Sequence, residues 1–157
     1  MSSHATRRIL ITGANKGIGL ATVEKIMAST TDTFVWLGSR DVQRGQDARA
    51  QLLETAPQWA DRLEVLQIDV SDSTSVREAA AHAAARFRGE DHPLYAIVNN
   101  AGIGYPSSDL LPVLEVNVRG IDRVCRAFVD LLDPSCGRVV NVTSAAGLVF
   151  VAGCSPS

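Results

Sequence analysis

The chain has 157 residues, 46% of them apolar and 20% charged, with a formal net charge of −2. That length suits one domain with a real core, and the charge gives no electrostatic case for nucleic acid or an anionic membrane as partner. The cysteines Cys125, Cys136 and Cys154 lack paired spacing, no apolar run reaches membrane-span length, and the opening MSSHATRR has no apolar signal core, so the expectation is a cytoplasmic protein with reduced thiols and no membrane partner.

Strand-length apolar runs alternate with longer helical patterns. Residues 7–12 read as a strand and 16–30 as a helix, with Ile18, Ala21, Thr22, Ile26 and Met27 forming the expected inward stripe. A second strand covers 33–39. A polar-faced helix covers 41–56 and is stopped by Pro57. A third strand is expected over 63–69, a helix over 71–87 with Ser and Asp at its start, and a fourth strand over 94–100. A loop at 102–108 leads to a long helix over 109–132, with Pro112 in its first turn, where a missing N–H matters little. A fifth strand covers 137–144. Near-continuous Val/Ile/Leu strands separated by helices imply a parallel sheet covered on both faces and doubly wound by right-handed crossovers. No boundary divides residues 1–157, which read as one domain.

Residues 12–19, TGANKGIG, join the first strand to the first helix. A phosphate placed there meets unpaired backbone N–H groups and the positive end of a helix dipole. Gly13 allows a tight turn, Gly17 lets the backbone approach a pyrophosphate, and Gly19 allows close packing. The glycine spacing is neither the commoner dinucleotide fingerprint nor a Walker loop. By itself such a loop leaves an ordinary glycine-rich turn as the alternative.

The loop has company. TGANKGIG, Asp69–Val70 after the third strand, NNAG (99–102) after the fourth, Asn117 in the next helix and NVTS (141–144) closing the fifth stand in the order of the short-chain dehydrogenase/reductase family. The chain resembles that family from residue 7 to about 150. NKGIGLA (15–21), SRDVQRGQ (39–46), GRVVNVTS (137–144) and CSPS (154–157) are similar to its cytosolic carbonyl reductase branch.

The resemblance implies a Rossmann-like α/β fold and an oxidoreductase that reduces small ketones, aldehydes or quinones with NADPH. It implies cofactor contacts at Gly13, Asn15, Lys16, Gly17, Ile18, Gly19, Arg40, Asp69, Val70, Asn99, Ala101 and Gly102. Asn100 belongs to the same bracing segment. The second strand ends in Ser39–Arg40 with no carboxylate at the Ser39 position, where one would favour NAD, so Arg40 and Lys16 point to a 2′-phosphate and to NADP(H). The alternatives are that Arg40 pairs with Asp41 or lies in solvent, and that Asp69 caps the following helix. Arg119, Arg123 and Arg126 read as a solvated helix face.

Among family catalytic residues, Ser144 matches the carbonyl-orienting serine and Asn117 the supporting asparagine. The family's Tyr-x3-Lys pair has no counterpart, because the tyrosines are Tyr95 and Tyr105 and the lysines Lys16 and Lys25. The loop holding Tyr105 and Pro106 is short for the family. CSPS resembles the start of an insertion that precedes the Tyr in this branch, so the chain reads as C-terminally truncated, with two family strands and their helices missing. The fifth strand would then be an open, self-associating edge beside the apolar stretch 145–153. Three readings stay open: the cofactor half of a reductase, a non-catalytic NADP(H)-binding short form, and an inactive fragment.

Overall fold

A computed structural model describes residues 6–104 and 110–144. The expectations for Tyr105, Pro106, the stretch 145–153, Cys154 and the CSPS segment lie outside the described residues. The strands are Arg7–Ile11 (β1), Thr33–Ser39 (β2), Leu63–Gln67 (β3), Ala96–Asn99 (β4) and Arg138–Asn141 (β5). They form one sheet in the order β3-β2-β1-β4-β5, and every pairing is parallel. The helices that cross between them are Gly17–Ser29 (α1), Val42–Thr55 (α2) and Ser73–Arg86 (α3); Leu111–Leu114 (α4) and Gly120–Phe128 (α5) lie between β4 and β5. The result is the doubly wound, Rossmann-like α/β sheet expected from the alternation.

Successive strand residues point to opposite faces, so the sheet has a core on each side. On one side Ile9, Ile11, Val35, Leu37 and Val98 pack with Val23 and Met27 of α1 and Ala48 and Leu52 of α2. On the other, Leu10, Phe34, Trp36 and Ile97 pack with Val76, Ala79 and Ala83 of α3 and Val124 and Phe128 of α5. The order of strands reverses its direction of growth between β1 and β4. Ligand crevices of such folds open there, beyond the carboxyl ends of the strands.

Three local expectations need correction. Of the expected inward stripe of α1, Met27 is buried and Ile26 packs against the core, but Gly19 and Val23 complete it in place of Ile18, Ala21 and Thr22; Ile18 is 69% exposed. Glycine 19 carries no hydrophobic signal, so periodicity alone shifts the stripe around the helix. The third strand ends at Gln67 rather than Asp69, because the Asp69 carboxylate accepts both the Ser71 N–H (2.9 Å) and the Ser71 hydroxyl (2.6 Å) and turns the chain. The long helix is not uniform. Between α4 and α5 the segment Glu115–Arg119 winds as a π-helix, and Val129–Leu131 ends it as a 3₁₀ turn, a local widening that often marks functional positions.

Pro57 behaves as expected: α2 ends at Thr55 and a 3₁₀ turn, Pro57–Trp59, follows. Among the described residues strand β5 lies at a sheet edge, and Val139 (46%) and Val140 (48%) are both exposed although they point to opposite faces.

Candidate functional site

The carboxyl ends of β1 and β4 are tied together by Thr12. Its buried hydroxyl accepts the N–H groups of Asn100 (3.1 Å) and Ala101 (3.0 Å), and its own N–H donates to the Val98 carbonyl (3.0 Å). Asn100 returns the contact, its side-chain amide donating to the carbonyls of Thr12 (2.9 Å) and Gly13 (3.1 Å). Two strand ends and the start of the glycine loop thus form one hydrogen-bonded unit. Sequence reasoning passed over Thr12; its place at the head of TGANKGIG was the available signal.

The glycine loop needs its glycines for different reasons. Gly13 has φ +63°, and a Cβ there would stand 2.7 Å from the Ala101 Cα. Gly17 has φ +57° with nothing within 4 Å of a built Cβ, so its constraint is backbone conformation beside open space. At Gly19 a Cβ would collide with the Asn100 amide and the Gly13 carbonyl. At this position α1 lies directly against the glycine loop and the Asn100 side chain that follows β4.

These elements enclose a cavity of about 430 Å³. Gly13, Asn15, Lys16, Gly17, Ile18 and Gly19 line one end; Arg40, Asp69 and Val70 line another; Ala101 and Gly102 complete it. Eleven of the twelve cofactor positions expected from sequence meet on this one surface. The exposure of Ile18 is explained by its place on the cavity wall.

Asn99 is the exception. It is 3% exposed and turned away, its side-chain amide donating to Asn141 Oδ1 (2.9 Å) and to Cys125 Sγ (3.6 Å). Strand alternation sends Asn99 and Asn100 to opposite faces, and Asn100 is the one on the cavity wall. Asn99 thus braces β4 against β5 and α5.

At the far end, Arg40 makes no ion pair among the described residues. Arg44 pairs with Asp41 instead, Nε to Oδ2 3.6 Å, and also lines the cavity. Sequence reasoning missed Arg44 because it lies on a helix, four residues beyond the strand-end position that carries the usual signal. Asp69 does not cap α3. That role belongs to Asp72, whose carboxylate accepts the Thr74 N–H at 2.8 Å.

Asn117 lies in the π segment. Its Oδ1 accepts the Ile103 N–H and its Nδ2 donates to the Ile103 carbonyl, both at 2.9 Å, so it holds the chain leaving β4. Arg123 is not part of a solvated face. It bonds the Glu115 carboxylate (2.5 Å) and the carbonyls of Glu115 (3.1 Å) and Val70 (3.4 Å). Hydrogen bonding from Arg123, with Arg119 adding to it, holds the Glu115 carboxyl below the ordinary range. Arg126 pairs with Asp122 on the exposed side, as a solvated residue would. Ser144 follows β5 by three residues and closes the described chain.

The cavity fits a dinucleotide. It has a backbone free of side chains where a pyrophosphate would lie, a carboxylate and an apolar side chain for a base, and cations at the ribose end. Among the described residues no helix is long and apolar enough to cross a membrane, and no group of three or more potential metal ligands is present.

Comparison with known proteins agrees with this geometry. The family description "short chain dehydrogenase" matches residues 7–156. Carbonyl reductase (NADPH) 1 of Macaca fascicularis is 36% identical over 157 residues, covering 96% of this chain and 53% of that protein. The NADPH-bound carbonyl reductase from chicken fatty liver superposes with a TM-score of 0.75 at 28% identity, covering 92% of this chain and 62% of that one. An alcohol dehydrogenase from Thermococcus sibiricus, complexed with 5-hydroxy-NADP, gives 0.74 at 29% identity, covering 88% and 58%. The chain spans about half the length of the curated relative it matches. It belongs to the short chain dehydrogenase family, with carbonyl reductases among its relatives.

Proposed function

We propose that residues 1–157 form a single NADP(H)-binding domain, the cofactor half of an NADPH-dependent carbonyl reductase. One observation carries the reading: Lys16, Arg40 and the side-chain-free loop at Gly17 share one cavity that has no carboxylate at the Ser39 position. The glycine loop and the α1 N-terminus bind the pyrophosphate through backbone N–H groups. Lys16 and Arg40 hold the 2′-phosphate. The Asp69 carboxylate accepts from the adenine amino group and Val70 packs near the ring. Ala101 and Gly102 lie beside the nicotinamide ribose.

Bound NADPH supplies the hydride for reducing a small ketone, aldehyde or quinone. In that reading Ser144 orients the carbonyl through its hydroxyl. Asn117 acts from behind, fixing Ile103 and with it the chain that leaves the nicotinamide end. The proton donor is a tyrosine outside these residues, since no Tyr-x3-Lys can be assembled from them. That reading places the protein in the cytoplasm.

NADPH fluorescence and a quinone-reduction assay on residues 1–157 test the proposal together. Saturable NADPH binding without turnover is the expected result. Turnover would refute the assignment of the proton donor, and failure of the folded protein to bind NADPH would refute the cofactor reading.

A further inference from the structure

The start of α5 meets the wall of the cofactor cavity at two points. A Cβ at Gly120 would stand 2.9 Å from Val70 Cγ2 and 3.3 Å from the Val70 carbonyl oxygen, so glycine lets the helix come this close. One turn further on, Arg123 Nη1 donates to the same Val70 carbonyl (3.4 Å). Val70 is 7% exposed and lines the cavity at the end read as the adenine site.

The same guanidinium holds the π turn that precedes α5. Nη1 also donates to the Glu115 carbonyl (3.1 Å) and Nη2 to Glu115 Oε2 (2.5 Å). The pair is partly shielded, with side-chain exposures of 22% for Arg123 and 32% for Glu115, and Arg119 bonds the other carboxylate oxygen. Inside that turn, Val116 lines the cavity and Asn117 holds both polar groups of the Ile103 backbone. Ile103 also lines the cavity, beside Gly102. One short helical segment thus touches both ends of the site, and Arg123 spans that segment.

A π turn holds one residue more than an α turn. Rewinding Glu115–Arg119 as regular α-helix would shift the residues before α5 by one position, about 100° around the axis. The Asn117 amide would then leave Ile103. The segment therefore has two discrete windings, and only one of them supports the chain that leaves β4. The contacts of Gly120 and Arg123 tie Val70 to that winding.

We propose that Arg123 is a positioning residue that couples the two halves of the site: with adenine seated against Val70, it holds the π winding that sets Asn117 and Ile103 for the nicotinamide end. The inference rests on the NADP(H) reading. Arg123 does not line the cavity itself and acts through Val70 and Asn117.

Nitrogen-15 chemical-shift mapping of residues 1–157 with 2′,5′-ADP tests it, because this ligand carries the adenine half and no nicotinamide. In the unsubstituted chain the Val70 and Ile103 amides shift together with one apparent Kd. In Arg123→Gln the Val70 amide still shifts and the Ile103 amide does not. NADPH, which spans both ends, binds Arg123→Gln about five- to tenfold more weakly, the low end of couplings between sites, while 2′,5′-ADP changes by less than about twofold. Arg123→Lys keeps the charge and loses the planar fork, so it falls between the two. Arg126→Gln, on the exposed side of the same helix and paired with Asp122, alters neither ligand. Circular dichroism verifies folding. If Arg123→Gln does not fold, Glu115→Gln takes its place, since it keeps every backbone acceptor; it weakens NADPH relative to 2′,5′-ADP by about two- to fivefold, the scale of a partly exposed ion pair.

An Ile103 amide that stays in place while 2′,5′-ADP binds the unsubstituted chain overturns the coupling and leaves the NADP(H) reading standing. An Ile103 shift that survives in the folded variant overturns the role of Arg123. Equal weakening of NADPH and 2′,5′-ADP overturns it too, because loss of a merely structural contact harms both ligands alike. A folded chain that binds neither ligand overturns the NADP(H) reading and this inference with it.

Discussion

Replacing Thr12 by valine keeps the shape of the side chain and removes the hydroxyl that accepts two backbone N–H groups, from Asn100 and Ala101. Thr12 is 1% exposed, so water does not readily replace the lost acceptor. A buried donor left without a partner costs roughly 1–3 kcal/mol. Both donors are on partly buried residues, which places Thr12→Val at about 2–4 kcal/mol in total. Thr12→Ser keeps the acceptor and loses one methyl, about 1 kcal/mol. Urea unfolding followed by circular dichroism reads the difference. With a slope of about 2 kcal/mol per molar urea, Thr12→Val lowers the midpoint by about 1–2 M and Thr12→Ser by about 0.5 M. A valine variant as stable as the serine variant would refute the claim that this hydroxyl joins β1 to β4. The same substitution loosens the glycine loop, so NADPH affinity falls more in Thr12→Val than in Thr12→Ser.

Two further outcomes are expected. The Asp133 carboxyl is held well below its ordinary range, first by the Ser135 hydroxyl and then by the N–H groups of Cys136 and Ser135. The unfolded chain takes up that proton at a higher pH than the folded one, so this contribution is complete above the ordinary carboxylate range and is lost as pH falls below it; Asp133→Asn therefore flattens the stability–pH curve between about pH 4 and pH 2, and an unchanged curve would contradict the assignment. Among the described residues strand β5 lies at the sheet edge and exposes Val139 and Val140, with Val142 exposed just beyond it, so residues 1–157 self-associate with increasing concentration in sedimentation velocity, and Val140→Lys reduces that association; a monomer at all concentrations would refute the edge as an interface.

The sequence by itself determined the sheet class, the sequence of elements and most of the cavity wall. Parallel β-strands buried on both faces require continuous apolar runs, and a backbone at positive φ beside Ala101 requires glycine at position 13; both leave direct marks in the residues. The length of β2 was legible to the residue for the same reason. What the tertiary structure decided were questions of direction and partner. Asn99 and Asn100 are adjacent and chemically identical, and only the phase of β4 against its neighbours shows that Asn100 faces the cavity. Asp41, Asp69 and Asp72 all stood as possible caps or charge partners; the turn at Ser71 and the start of α3 separated their roles. The π segment around Asn117 has no local signal, because it arises where Asn117 must reach Ile103 while Arg123 reaches Val70. Arg44 entered the site only because α2 begins beside the glycine loop. Local rules fix conformation along a chain, whereas the side on which a polar residue spends its hydrogen bonds is set by contacts between segments distant in sequence.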